Sequence, residues 1–382
     1  MQRTAPETHK EGGQTPYELI WDRMPERQNR FSTVWWYYML FPRQAEGYGP
    51  AQMMYGIASK RGRFRINGRT LDGLSRRVPL RGAVEPFTAL TLGWRHDGHQ
   101  LHERALETVT QATLDGDGRL AAWDSGDGSG YGGEIKRLSH RPFGMEARFH
   151  GPGGHAHFEA WGDPGQDITS VRETIDVNSA FGGMHSVALD CLQFEGTFGG
   201  PGGTRYVEGL GCFHRICINT PWCPWKWLYA VFADGSVFTC FLPYLGLQVL
   251  RRKDTLLPGF LERATVSFMP IGLFSPGDTR ATIHFDEVRV TPEVTRGRHP
   301  RFAVNCRRKN GGFIQFRLVP YDRTQYKMET PMFKERLHTQ FAYNVYLSEV
   351  EGLSGSLGDR SLTPQTLGRG YGNCEYTWGM AF

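Results

Sequence analysis

The chain has 382 residues, more than the roughly 250–300 at which one hydrophobic core stops growing, so two domains are expected. Aromatic residues make up 13% of the chain and glycine occurs 48 times, a composition that favours sheets and turns over helices. The net charge of +5 is small and spread along the chain, so nothing in it calls for a nucleic-acid partner.

Residues 1–16 are polar and lack the apolar core of a signal peptide. No stretch approaches the ~20 apolar residues that a membrane span needs. We therefore expect a cytoplasmic protein without stable membrane insertion. In that compartment the seven cysteines would be buried thiols rather than disulfides.

The first half reads as short antiparallel strands separated by Gly, Asp and Pro clusters. An aromatic run predicts a strand from Thr33 to Leu40, and Asn67-Gly68 predicts a tight hairpin turn. Further strands are predicted at 52–59, 63–66, 87–94, 102–114, 120–123, 145–150 and 155–161. The strands do not alternate with helices, so a parallel βαβ sheet is not expected.

The most flexible composition lies near the middle of the chain, in Phe-Gly-Gly-Pro-Gly-Gly-Thr at 198–204. We place the domain boundary there, giving domains 1–200 and 201–382. The second half shows the same pattern, with strands predicted at 206–216, 225–232, 237–243, 264–269, 281–290, 301–306, 313–320, 341–350 and 370–378. Asp234-Gly235 predicts another hairpin, and short helical turns are expected at 169–177, 256–263 and 333–337.

Three segments, in order along the chain, resemble a known group of proteins. They are Val34-Trp35-Trp36-Tyr37-Tyr38, the run from Gly209 to Arg215 that leads through Pro224-Trp225-Lys226-Trp227 to Asp234-Gly235, and the closing segment from Gly368 to Trp378. They are similar to the aromatic strand, the G-x-G segment and the final G-x-G-Y-x-E strand of the AttH/CrtC-like lipocalin-type family. That family includes carotenoid 1,2-hydratases, fungal hydratases and lipocalin-like cyclases.

The resemblance implies a mainly β protein of two lipocalin-like antiparallel barrels with few short helices. It also implies chemistry without a cofactor on a hydrophobic isoprenoid or polyketide-like small molecule. The sequence departs from the family pattern at Val34 and at His214-Arg215-Ile216-Cys217, so no family catalytic residue is carried over.

Hydration, isomerisation or cyclisation of an alkene begins with a proton donor in a dry pocket, and aromatic faces stabilise the resulting cation. Glu375 lies among aromatic residues of the last predicted strand, and Glu208 lies near Tyr206 ahead of His214. Glu375, His214 and Glu208 are therefore the candidate catalytic residues, each with a structural role as the alternative. A strand puts Tyr371, Asn373 and Glu375 on one face, with Trp378 on the other.

Aromatic residues near these acids are the candidate substrate-binding residues: Trp35, Trp36, Tyr37, Trp225, Trp227, Tyr371 and Trp378. Trp225 and Trp227 share one strand face and would form either a pocket wall or part of the core. Asp190 is a candidate buried carboxylate, for which a structural role is favoured.

Other functions have weaker sequence support. Cys212, His214, Cys217 and Cys223 lack the paired C-x-x-C spacing of structural zinc sites, so no metal is predicted. The glycine-rich residues 125–133 do not open a convincing helix, and no G-x-S-x-G motif occurs. We predict a cofactor-independent hydratase, isomerase or cyclase, with a non-catalytic lipophile-binding protein as the alternative and another secondary-metabolism enzyme as a third possibility.

Overall fold

The computed structural model describes most of the chain. The described residues are 17–21, 33–59, 63–72, 87–115, 117–123, 130–163, 169–173, 184–200, 202–218, 224–247, 264–267, 270–279, 281–295, 297–332 and 337–379. The predicted mainly antiparallel β architecture is confirmed: strands account for 74% of the structure, and helix for 3%.

The first sheet is built from the first part of the chain. Its strands are β1 (Thr33–Gln44), β2 (Gly47–Tyr48), β3 (Gln52–Ser59), β6 (Phe87–His96), β7 (Leu101–Leu114), β8 (Arg119–Trp123), β9 (Gly132–Leu138), β10 (Gly144–Gly151), β11 (Gly154–Trp161), β12 (Thr169–Glu173), β13 (Met184–Gly200) and β14 (Gly203–Ile218). Neighbouring strands run in the order β11-β10-β9-β8-β7-β6-β3-β1-β14-β13. Because β11 also pairs with β13, these ten strands close into a barrel.

The second sheet takes up the rest of the chain and one hairpin of the first part. Its strands are β4 (Arg63–Ile66), β5 (Arg69–Asp72), β15 (Trp225–Phe232), β16 (Val237–Gly246), β17 (Thr265–Ser267), β18 (Ile271–Ser275), β19 (Ile283–His284), β20 (Glu287–Glu293), β21 (Arg301–Arg307), β22 (Phe313–Met332), β23 (Leu337–Leu357), β24 (Arg360–Ser361) and β25 (Gly370–Trp378). Nine of them run β19-β18-β16-β15-β25-β23-β22-β21-β20. No ladder among the described residues joins its two end strands, β19 and β20. Among the described residues, a closed barrel is therefore formed by the first sheet.

The helical elements that lie wholly among the described residues are a 3-10 turn at Glu18–Ile20 and the single-turn helix α1 (Pro364–Leu367). The helical turn expected at 169–177 is wrong over its described part, because Thr169–Glu173 is a strand paired with β13; residues 174–177 lie outside the described residues. The turn expected at 256–263 lies outside the described residues, as does most of 333–337. No helix among the described residues is long and apolar enough to cross a membrane.

The glycine-rich segment near the middle is a hairpin turn. It joins β13 to β14, whose ladder runs from the Met184–Ile218 pair to the Gly200–Gly203 pair. Strand β14 also pairs with β1 along ten residues, so residues 203–218 belong to the first sheet. The chain passes to the second sheet between Ile218 and Trp225. The division into domains 1–200 and 201–382 stays a prediction. Its boundary at residue 200 lies before β14, whereas the chain leaves the first sheet after β14.

Three buried clusters follow from the alternation of side chains along the strands. One fills the ten-stranded barrel and includes Trp36, Tyr38, Phe149 and Phe158. A second lies on one face of the other sheet and includes Tyr376 and Trp378. The third lies between the sheets and draws on both; we call it the inter-sheet layer, with buried members that include Tyr37, Met54, Leu92, Trp94, Cys212, Trp227, Tyr229, Tyr343, Val345 and Leu347.

Candidate functional site

Glu375 is a buried carboxyl group in the inter-sheet layer. It lies in β25 directly opposite Trp227 of β15 and Val345 of β23, and opposed residues of an antiparallel sheet project to the same face. Both neighbours belong to the layer, so the Glu375 side chain faces the first sheet and not the core that contains Trp378. The face predicted for Glu375 from strand alternation is therefore confirmed.

Two donors hold the Glu375 carboxyl group. Trp225 Nε1 donates to Glu375 Oε2 at 2.8 Å, and the Tyr343 hydroxyl donates to Oε1. Trp225 is fixed in turn by Thr377, whose Oγ1 accepts from the Trp225 backbone N–H at 2.7 Å and donates to the Trp225 carbonyl at 3.1 Å. The carboxyl group is thus held by neighbouring strands on both sides.

Burial raises the pKa of Glu375 to about 7, against an ordinary value of 4.5. The bonds from Tyr343 and Trp225 favour the charged form and act in the opposite direction, but removal from water outweighs them. Near neutral pH the group therefore exchanges between acid and carboxylate. Such a group can both release and recover a proton.

His214 lies in the same layer, on β14. Its Nδ1 is 3.1 Å from the Tyr37 hydroxyl and its Nε2 is 3.0 Å from Asp190 Oδ1. Only about 4% of His214 is exposed, so these two contacts fix the ring in a buried setting. A histidine oriented by a carboxylate on one nitrogen and bonded to a hydroxyl on the other has the arrangement of an acid–base group.

Asp190 lies at an irregularity in β13. The ladder between β13 and β14 shifts register between Leu189 and Leu192, so Asp190 and Cys191 together oppose Cys212. Leu189 and Leu192 both belong to the barrel core, so the two residues between them project outward, Asp190 to His214 and Cys191 into the inter-sheet layer. Alternation from Leu189 already gives Asp190 this direction, and the extra residue brings Cys191 to the same side.

Glu375 and the His214–Asp190 pair lie close enough for both carboxyl groups to act electrostatically on Tyr37. The pKa of Tyr37 is well above its ordinary value, first because the phenol is buried and then because the charges of Glu375 and Asp190 disfavour tyrosinate. Burial also raises the pKa of Tyr343 well above its usual value, and Glu375 and Tyr37 add to that effect. Both phenols therefore remain protonated hydrogen-bond donors near neutral pH.

Aromatic rings surround these groups. The His214 ring lies 5.0 Å from Trp227 and 5.3 Å from Tyr37, measured between centroids. Tyr343 lies 5.8 Å from Trp35 and 6.1 Å from Trp225. Rings within about 6 Å of a positive charge attract it through their electron-rich faces, so the layer suits a cationic intermediate.

A narrow cavity opens beside Tyr343 and Tyr37. Its other lining residues are Trp35, Met54, Gly56, Ile57, Ala58, Leu90 and Leu92, and its volume is about 10 Å³. Gly56 stands opposite Tyr37, and a Cβ there would lie only 2.7 Å from the Tyr37 Cβ, so glycine leaves room for the phenol. The space holds about one water molecule, so a larger ligand would have to separate the walls.

The structure brings together Glu375, His214, Tyr37, Trp35, Trp225 and Trp227 among the sequence-predicted site residues. It separates four others. Trp36 lies inside the barrel and Trp378 in the core of the second sheet. Glu208 is exposed and opposes Glu195 in the part of β14 near the hairpin turn. Tyr371 is near the start of β25, with Arg369 over its ring.

Cys212 and Cys217, two members of the considered zinc set, face opposite sides of β14: Cys212 lies in the inter-sheet layer and Cys217 in the barrel core. Five positions apart on a regular strand, they cannot share a ligand sphere. Cys223 lies outside the described residues. Searching the described residues finds no group of three metal-ligating side chains.

Sequence reasoning did not single out Tyr343, and it favoured a structural or pairing role for Asp190. Tyr343 lies in a strand of alternating pattern. It contacts Glu375 because β23 pairs with β25 in the register that sets Tyr343 opposite Thr377. Asp190 is paired with His214, and that partner cannot be read from the pattern Leu189-Asp190-Cys191.

Comparison with known proteins gives structural similarity without sequence relatives. No family model matches the chain, and no curated protein matches it. Among solved structures, an AttH-like protein of Nitrosomonas europaea is 13% identical, with 92% of this chain and 98% of that chain covered and a TM-score of 0.49. Kievitone hydratase of Nectria haematococca is 12% identical, with 92% and 90% covered and a TM-score of 0.45.

CghA, in a structure with Sch210972, is 11% identical, with 92% of this chain and 89% of that chain covered and a TM-score of 0.47. The chain is thus similar in structure to an AttH-like protein and to a hydratase, the group that its sequence motifs resemble. Because these TM-scores are below 0.5, no residue role or reaction follows from the similarity.

Proposed function

We propose that the protein is a cofactor-independent hydratase, isomerase or cyclase that protonates an unsaturated hydrophobic metabolite between its two sheets. The observation that carries this proposal is Glu375, a fully enclosed carboxyl group whose pKa of about 7 keeps it partly protonated at neutral pH. A structural carboxylate paired with an arginine or lysine would not need such a pKa, and its two bonded partners here are a phenol and an indole.

The proton would pass from Glu375 through Tyr343. The Tyr343 hydroxyl is bonded to Glu375 and the Tyr343 side chain lines the cavity, whereas Glu375 does not line it. When Glu375 is protonated, its acid O–H donates to the Tyr343 oxygen and the phenol O–H turns to the cavity. As the phenol gives its proton to an alkene carbon, its oxygen takes the proton of Glu375, so one C–H bond forms, the alkene π bond is lost and Glu375 is left as carboxylate. The positive charge then resides on the substrate, beside Trp35, Trp225 and Tyr37.

Three outcomes share this cation. Addition of water gives a hydratase, attack by another double bond gives a cyclase, and loss of a proton gives an isomerase. Each needs a base to take a proton, and His214, oriented by Asp190 and bonded to Tyr37, supplies it. Return of that proton to Glu375 restores the starting state.

The alternative is a lipophile-binding protein without catalysis, which the largely apolar wall of the cavity favours. Met54, Ile57, Leu90 and Leu92 line it. A binder requires this wall but has no use for an acid. The same Glu375 variant therefore separates the two functions.

Small molecules extracted from the natively purified protein and identified by mass spectrometry would supply the probe. With it, Glu375→Gln should lower turnover by about 10²–10⁴-fold while binding survives, because glutamine keeps the size but cannot release a proton. The matched control is Glu208→Gln, the same substitution at an exposed site, which should retain turnover. Normal folding with near-wild-type turnover in Glu375→Gln would refute the acid role, and tests would move to His214.

A further inference from the structure

Asn373 is a fully buried amide without a hydrogen bond among the described residues. Its exposed fraction is 0%, and neither Nδ2 nor Oδ1 has a partner in the described part of the chain. Buried side-chain amides are normally paired, because water is lost on burial and an unmet donor or acceptor costs free energy. An unpaired amide that persists in a core is a candidate for pairing with a ligand.

Strand register directs this amide toward the proposed site. Asn373 lies directly opposite Tyr229 of β15 and Leu347 of β23, both in the inter-sheet layer. It is two residues before Glu375 on the same strand face, a separation of about 7 Å along an extended chain. A small molecule that separated the two sheets at this face would therefore contact both side chains.

The facing sheet presents further unmet polar atoms. Gln52 Nε2 donates to the Gly372 carbonyl at 2.9 Å, which holds the Gln52 side chain next to Asn373, and Gln52 Oε1 has no partner among the described residues. Trp94 Nε1 is likewise unpaired there and belongs to the layer. Each of the two facing sheets thus has buried donor or acceptor atoms without a hydrogen-bond partner among the described residues.

Asn344, on the opposite face of the same sheet, shows that a buried asparagine of these strands can have its hydrogen bonds satisfied. It is also fully buried, and Gln325 Nε2 donates to its Oδ1 at 2.7 Å. Its Nδ2 donates to the Tyr376 carbonyl at 2.9 Å. The two asparagines differ in pairing and not in burial.

We propose that Asn373 hydrogen-bonds a carbonyl oxygen of the substrate, which is an unsaturated lipophile carrying a ketone or similar carbonyl group about 7 Å from the carbon that Glu375 and Tyr343 protonate. The inference rests on the proposed function, since it names the substrate class of the same site. Nδ2 donates to the carbonyl, and the apolar wall receives the hydrocarbon part. Asn373 is accordingly a specificity residue that fixes which end of the molecule faces the acid.

The first test is the stability of the protein without ligand. Replacing an unpaired amide with an apolar side chain of similar size removes an unmet polar group, so Asn373→Leu should melt at or above the wild-type temperature. Asn344→Leu is the matched control and should melt several degrees lower, because it breaks satisfied bonds. A comparable drop in both variants would mean that Asn373 is paired in the free protein, through buried water for example, and would overturn the inference.

The second test is binding of a matched pair of probes, 2-acetylnaphthalene and 2-ethylnaphthalene, measured by equilibrium dialysis. Wild-type protein should prefer the ketone by about 3–10-fold, the value of one neutral hydrogen bond. The preference should vanish in Asn373→Leu, with affinity for the hydrocarbon retained, and should persist in Glu375→Gln.

The outcomes separate this inference from the proposed function. A ketone preference that survives Asn373→Leu overturns the inference alone. Loss of the preference in Asn373→Leu, together with undiminished turnover in Glu375→Gln, supports the inference and refutes the acid. If neither probe binds the wild-type protein, both the proposed lipophilic binding site and this inference are refuted.

Discussion

The barrel interior and the inter-sheet layer are both buried and aromatic, yet their ionisable side chains differ. The barrel face of β14 buries the cation Arg215, opposite Trp36. Inside the barrel, Phe158 packs against Tyr38, Phe149, Phe194 and Phe198, with centroid distances of 5.0–6.5 Å. The layer between the sheets instead holds Glu375, Asp190 and His214 among its rings. We therefore expect the barrel interior to contribute mainly to stability, and the proposed chemistry is assigned to the layer between the sheets.

The largest expected effect is on the barrel side of this comparison. Phe158→Ala should lower the free energy of unfolding by about 3–5 kcal/mol, because it removes a large ring and leaves a cavity among four others. Urea unfolding of the variant and of Val266→Ala, a control at a position that is 73% exposed, measures it. A cost below about 1 kcal/mol would contradict the tight packing of this core.

The second prediction concerns the stability of the layer as pH changes. The folded-state pKa of Glu375 is about 7 and the ordinary value is 4.5, so the folded protein binds this proton more tightly. Stability from this group is therefore fully present below about pH 4.5 and is lost as the pH rises to about 7. Relative to wild type, Glu375→Gln should gain up to roughly 3 kcal/mol between pH 4.5 and pH 8.

Urea unfolding at pH 4.5 and pH 8 measures the free energy of unfolding of each protein. Subtracting the wild-type value from that of Glu375→Gln removes the contribution of every other titrating group, because the two proteins share those groups. Glu208→Gln, at an exposed site, should show a difference that stays within about 0.5 kcal/mol. A constant difference between Glu375→Gln and wild type would mean that Glu375 is not held in its neutral form.

The smallest effect is expected from one hydroxyl group. Tyr343→Phe keeps the ring but removes a bond that favours the charged form of Glu375, so the pKa of Glu375 should rise above its wild-type value. Infrared titration of the buried carboxyl would detect the change. Tyr326→Phe is the matched control, because Tyr326 donates to the Glu103 carbonyl and not to Glu375. An unchanged titration in Tyr343→Phe would exclude it from the proton path.

Sequence patterns located many strands well. Strands 52–59, 63–66, 225–232 and 370–378 are found at the predicted bounds, because each is a β-forming run between clear turn residues. The Asn67-Gly68 and Asp234-Gly235 hairpins are confirmed, with φ of +48° at Asn67 and of +82° and +83° at the two glycines. Strand β1 instead continues past Pro42 to Gln44, since a strand tolerates a proline where no ladder bond needs its nitrogen.

The sequence alone determined the β class, the hairpins and the faces of individual strands, because these depend on neighbouring residues and on a two-residue period. It therefore separated Glu375 from Trp378 correctly. Only the tertiary structure decided which faces meet. The contact of Asp190 with His214, the pairing that brings Tyr343 to Glu375 and the unpaired amide of Asn373 depend on residues far apart in the chain, and no local pattern encodes them.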